Sequence, residues 1–336
     1  MHQPDKADPK QMAPRGAICT SSIHIDPPTS TSDQNRVLTG EWRRNCTVAN
    51  KLTRPMPTNT HPLGALTGYS HPKCYAHADG NCSRKISKEH FISATLLRQL
   101  GTHDTAKVAG LKWQQPETFK VLPIAGMASS ILCERHNNAL SPLDASIGKF
   151  AEVIESYDAA LQAPPIGLDM EQRQFSGDDL ERWMVKCLLG LTASNSLRSA
   201  QLKPACIDLL FASAPWAEGW GLYFAAVAGK PIHHSGSLLI ETRVDPASGL
   251  ILAADFVILG LPFLLCLGEP GVGSSFGAYR PEALVFKSGA REKVLVLSWE
   301  NGPRSSSLRL DRTGSYDGPP PDWKGEKNGW VDRLST

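Results

Sequence analysis

The chain has no apolar stretch of the kind a membrane helix requires. Its longest apolar run, Gly249 to Gly268, is interrupted by Asp255, Gly260 and Pro262, whereas a spanning helix needs about 20 consecutive apolar residues. The run is expected to fold as paired buried strands, and no membrane partner is expected. An apolar leader is also missing from MHQPDKADPKQMAPRG, so a cytoplasmic location is expected. Cysteine is scarce, eight in 336 residues, which argues against a disulfide scaffold and for thiols used on metal in a reducing compartment. No internal repeat is present. Long aliphatic residues are few in 1–68, which are rich in Pro, Thr, Ser and Asn. Such a segment is expected to be disordered or loosely packed.

What remains is ordinary globular composition, 41% hydrophobic and 20% charged, over a length that suffices for two domains with cores. The net charge of +2 hides an asymmetry. Residues 1–150 hold 18 Lys/Arg against 11 Asp/Glu and eight of the ten His, while 151–336 hold 17 against 22. A basic half suits a polyanion such as DNA, because neutralising phosphates releases counterions.

Within the basic half stand Cys74 and Cys82, then Glu89-His90, then Cys133-Glu134-Arg135-His136-Asn137. Tetrahedral zinc takes four Cys or His ligands, and a closed set of four is structural. Cys74, Cys82, Cys133 and His136 form such a set, whose metal would supply folding free energy to a small unit. His71 and His77 flank the first pair, and either could replace Cys82. Cys46 is a spare thiol. His90 has the chemistry of a general base for water attacking phosphorus. Glu89 beside it and Asn137, with Asn138 a rival, offer hard oxygens to Mg²⁺ or another divalent ion. If Glu89 and His90 lie on a strand, their side chains point to opposite faces. Both then serve one metal–water site only if the strand ends or twists there. Arg84, Lys85 and Lys88 precede the base, where they could grip phosphate.

The segment 74–144 resembles an HNH endonuclease domain of the zinc-bearing kind. The shared order is a Cys pair, an acidic residue directly before His, and Cys-x-x-(Cys/His)-Asn. Two features depart from it. Residues 91–132 lack the usual middle Asn, and Cys-x7-Cys replaces a tighter Cys-x2-Cys. The resemblance implies a small zinc-stabilised ββα-metal (HNH-like) domain; with a helix-plus-antiparallel-sheet domain read from the residues that follow it, the expected fold class is α+β. The resemblance also implies metal-dependent hydrolysis of DNA phosphodiester bonds, with His90 as base and Glu89 and Asn137 near the catalytic metal. The alternative is a zinc-organised nucleic-acid-binding or interaction module with an inactive nuclease site.

The expected division is a tail over 1–68, an HNH-like zinc and nuclease domain over 69–165, an α+β domain over 170–303 and an irregular tail over 304–336. The role of the α+β domain is open, with a protein partner as one use. FISATLLRQL over 91–100 reads as a helix burying Leu96, Leu97 and Leu100, and Phe119 to Ile124 as a strand. Ser141-Pro142-Leu143-Asp144 reads as a helix start, Ser as cap, Pro at the first position and Asp144 facing the helix dipole. That start leaves Asn137 ahead of the cap: either the helix begins earlier and Pro142 bends it, or a zinc knuckle precedes it. Residues 178–195 give the clearest helix, with Leu180, Trp183, Met184, Cys187, Leu188 and Leu191 on its core face. After Leu222, short apolar runs divided by Gly and Pro read as strands. His233-His234 reads as a loop feature, and Gly271-x-Gly273 is too little for a phosphate loop.

Overall fold

A computed structural model describes residues 19–26, 55–115, 118–163, 170–198, 200–225, 232–268, 276–289 and 291–312. Cys46, the Gly271-x-Gly273 motif and the end of the chain lie outside these residues. The chain is mixed α+β. In order, the strands are β1 Cys19–Asp26, β2 Ile86–His90, β3 Thr105–Ala109, β4 Lys120–Pro123, β5 Ala128–Cys133, β6 Met170–Ser176 and β7 Gly221–Phe224. They continue with β8 Leu238–Val244, β9 Ile251–Ile258, β10 Leu261–Cys266, β11 Ala278–Tyr279, β12 Ala283–Ser288, β13 Arg291–Ser298 and β14 Leu308–Asp311. The helices are α1 Ala94–Leu100, α2 Glu134–Gln162, α3 Gly177–Ala193 and α4 Ala205–Leu210.

Three sheets form. An eight-stranded one runs β11-β7-β10-β9-β8-β1-β3-β4, a four-stranded one β14-β12-β13-β6, and β2 pairs with β5 alone. The apolar run 249–268 becomes the expected pair of strands, Leu261 to Cys266 lying against Ile258 to Ala253. Leu259 and Gly260 make the turn with φ of 52° and 82°, the left-handed pair that a tight hairpin demands. The larger sheet is antiparallel throughout. In the smaller one β12–β14 and β13–β6 are parallel, a departure from the mainly antiparallel expectation. No described helix is long and apolar enough to cross a membrane.

Helices α2 and α3 touch both larger sheets. Phe150 of α2 meets Phe175 of β6 at 5.1 Å and Phe263 of β10 at 6.2 Å. Trp183 of α3 meets Phe256 of β9. Helix α3 is buried at every position from Gly177 to Leu191, as befits a helix enclosed by other layers. Ser176 caps it, its hydroxyl accepting from the Asp179 amide. At Gly190, a Cβ would fall 2.8 Å from Cβ of Phe91, so glycine lets α3 pass close to the end of β2.

Several expectations need correction. The 1–68 stretch contains β1, whose Ile23 and Ile25 are fully buried and which lies between β8 and β3. Thr58 is also held, its amide and hydroxyl both donating to Asp179. One buried cluster takes residues from both sides of 165–170, where the sequence suggested a change of unit. Strand β14 falls within the stretch expected to be an irregular tail. Helix α2 starts at Glu134, so Pro142 is internal and Asp144 is mid-helix. An internal proline leaves one carbonyl of the preceding turn without its amide donor. Here the Ser141 hydroxyl donates to the Asn138 carbonyl at 3.0 Å, and the helix continues. Three other elements, α1, β4 and α3, lie where the sequence placed them.

Candidate functional site

Cys133 ends β5 and His136 follows in the first turn of α2. Cys74 and Cys82 flank a single 3₁₀ turn, His77–Asp79, closed by Gly80 at φ 65°. The Tyr75 amide donates to the Ile131 carbonyl and holds this loop against β5, while the Cys82 amide donates to the Tyr69 carbonyl and closes the loop on the segment before it. The four ligand atoms lie within 4.8 Å of one another, and all four residues are buried. From His136 Nδ1, the sulfurs of Cys133, Cys74 and Cys82 stand at 3.1, 3.5 and 3.8 Å. Tetrahedral zinc, with bonds of about 2.3 Å to sulfur and about 2.0 Å to nitrogen, requires an N···S separation of about 3.5 Å. The donor set therefore fits zinc and closes around it.

The surroundings fit as well. Asp79 Oδ2 lies 3.0 Å from His136 Nε2, the carboxylate partner that fixes tautomer and orientation in a ligating imidazole. The Ser83 amide points at Cys133 Sγ, 3.4 Å away. Burial pushes the Cys74 and Cys82 thiols up. At Cys133, hydrogen bonds from the His136 and Ser83 backbone outweigh the same burial and bring the thiol below its ordinary value. A divalent cation held by these residues would offset burial and mutual repulsion in all three thiolates. His77 Nδ1 instead sits 2.7 Å from the Cys74 carbonyl and His71 accepts the Lys73 amide, so neither takes the place of Cys82.

Glu89 and His90 end β2, opposite Ser129 and Ala128. Cys133 lies at the other end of the β2–β5 pair, where it faces Ile86. Glu89 points into the core. Its carboxylate contacts the ammonium of Lys186, the two side chains being 3% and 1% exposed. Lys186 Nζ also lies 2.9 Å from Asp144 Oδ1 and donates to the His90 carbonyl at 3.2 Å. Ser93 donates to Asp144 and accepts from Trp183 Nε1. Burial raises the Glu89 carboxyl above its usual range, against the pull of Lys186. Burial would discharge Lys186, but Asp144 and Glu89 overcome it and hold the ammonium protonated.

His90 is half-buried, and its Nε2 is shielded from solvent with no hydrogen-bond partner among the described residues. Burial, then the charge of Lys186, holds its pKa below the usual imidazole value, so the ring is neutral and able to accept a proton at neutral pH. Asn137 is half-buried in the first turn of α2 and Asn138 is exposed. Among the described residues no hydrogen bond joins either to Glu89 or His90. Lys85 pairs with Glu134 at 2.8 Å, Arg84 lies over the Tyr69 ring and Lys88 is exposed. His234, far in sequence, lies 2.6 Å from Asp158, which also pairs with Arg312.

The structure thus assembles the four proposed zinc ligands. It joins Glu89 to Asp144, which the sequence had offered chiefly as a helix-end charge. Lys186 was missed. Its signal was available, since one lysine inside Trp183-Met184-Val185-Lys186-Cys187-Leu188 on a buried helix must find a countercharge. Compared with protein-family models, curated proteins and solved structures, the chain gives no match.

Proposed function

We propose that the chain hydrolyses phosphodiester bonds in DNA as an HNH-type endonuclease, with zinc holding the fold and His90 as general base. The order of parts supports this reading: β2 pairs with β5 across an intervening α1, β3 and β4, and β5 leads into α2, with the Cys₃His set near one end of the pair and Glu89-His90 at the other. The observation that carries it is the unpartnered Nε2 of His90. A buried polar atom without a partner calls for an explanation, and a catalytic role is one. Such a nitrogen would take the proton from attacking water.

The Mg²⁺ expected at Glu89 does not fit this arrangement, because Lys186 already holds that carboxylate. The same pair favours the second reading, a zinc-organised nucleic-acid-binding module with an inactive site.

The test compares wild type with His90→Ala on single- and double-stranded DNA, with added Mg²⁺, Mn²⁺ or Ni²⁺ and with none. Wild type is expected to cut, and His90→Ala to lose about 10²- to 10⁴-fold in rate. Zinc content and DNA affinity should not change, since phosphate contacts dominate binding. Equal DNA binding with no cutting by either protein establishes the binding module. Equal cutting by both removes His90 as the base.

A further inference from the structure

Lys186 breaks the apolar pattern of a helix buried on all sides. A buried ammonium is tolerated only with paired charge and hydrogen-bond acceptors. It meets three oxygen groups: the Glu89 carboxylate, Asp144 Oδ1 and the His90 carbonyl. They come from β2 and α2, while Lys186 itself comes from α3. Carboxylate and carbonyl oxygens gathered on one centre are equally the donor set of a hard divalent cation. One ammonium faces two carboxylates, so an ion of charge two would balance the cluster more fully.

We infer that Lys186 is the built-in cation of this cluster, standing where Glu89 and Asp144 would otherwise hold a divalent ion. It ties the His90 end of β2 to α2 and α3. At 1% exposure it does not reach a substrate, so it is a positioning residue. The inference goes beyond the nuclease reading and holds whether or not the chain cuts DNA.

The probe is Mn²⁺, titrated into the zinc-loaded full chain and followed by the electron paramagnetic resonance of the free ion. Wild type and Glu89→Gln are expected to titrate alike. Lys186→Met should gain one Mn²⁺ per chain with a Kd of about 10⁻⁴ to 10⁻³ M, the range of weak oxygen-ligand sites. Mn²⁺ should raise the Tm of this variant. The gain should vanish when Glu89→Gln is added, and Lys186→Arg should behave as wild type. A Mn²⁺ site in wild type that Glu89→Gln abolishes overturns the inference. So does a folded Lys186→Met that gains no Mn²⁺. Should Lys186→Met not fold, the wild type–Glu89→Gln comparison still decides. Failure of wild type to cleave DNA counts against the nuclease reading alone, because the titration reads no activity.

Discussion

Asp79 offers the sharpest test of the candidate zinc centre because it would support the metal without touching it. Its Oδ2 receives Nε2 of His136 at 3.0 Å, while Nδ1 of the same ring faces the three sulfurs. Loss of such an outer partner typically weakens metal binding about 10- to 100-fold, or about 1.4 to 2.7 kcal/mol. The Asp79 side chain is 43% exposed, and solvent screens its charge, which places the effect near the lower figure of about tenfold. Asp79 Oδ1 also accepts the Asn81 amide at 3.4 Å, so truncation disturbs the turn as well. Asp79→Asn keeps an acceptor oxygen and removes only the charge. Zinc affinity should therefore fall in the order wild type, Asp79→Asn, Asp79→Ala, measured by competition with a chromogenic chelator at fixed pH. An Asp79→Ala protein that holds zinc as tightly as wild type would show that His136 is not oriented as a ligand, and the proposed centre would fail.

Further outcomes follow from other contacts. Cys133→Ser should lose zinc by elemental analysis, and hydrogen exchange should show lost protection in 74–90 and 128–136 before α3, since metal binding supplies folding free energy locally. Asp158→Ala should cost about 3–5 kcal/mol in urea unfolding at pH 7, because it strands the buried Arg312 guanidinium. Burial works against Asp158 ionisation, but His234 and Arg312 outweigh it and hold the carboxyl below its ordinary 3.8. A depressed folded pKa gives stability that is present above the unfolded value and lost as pH falls through the folded one. The wild-type advantage over Asp158→Asn should thus shrink below pH 3.8, and a constant difference from pH 7 to pH 2 refutes the ion pair. Gly221→Ala should destabilise by about 3 kcal/mol or more in the same assay. Gly221 has φ 123°, and its new Cβ would fall 2.6 Å from Glu181 Oε1, inside the buried Glu181–Arg280 pair.

Much of the metal centre was legible in the residues. Cys and His are committed by their chemistry, and a set of four at the right separation has few other uses. Helix α3 and the β9–β10 hairpin were legible because apolar spacing and a Gly at the turn are local signals, readable within about ten residues. Strand β1 was not: only Ile23 and Ile25 alternate with polar neighbours, and its pairing with β8 joins residues such as Cys19 and Val244. The start of α2 was misread because Ser141 and Pro142 carry a helix-opening signal. The Ser141 hydroxyl turned that signal into repair of an internal break.

Tertiary structure alone decided what Glu89 faces. Sequence placed a carboxylate beside His90 and left it to a metal, whereas packing brings Lys186 and Asp144 to it from α3 and α2. The physical reason is that periodicity is written in neighbouring residues, while the countercharge of a buried ion is settled by whichever group the assembled core places against it.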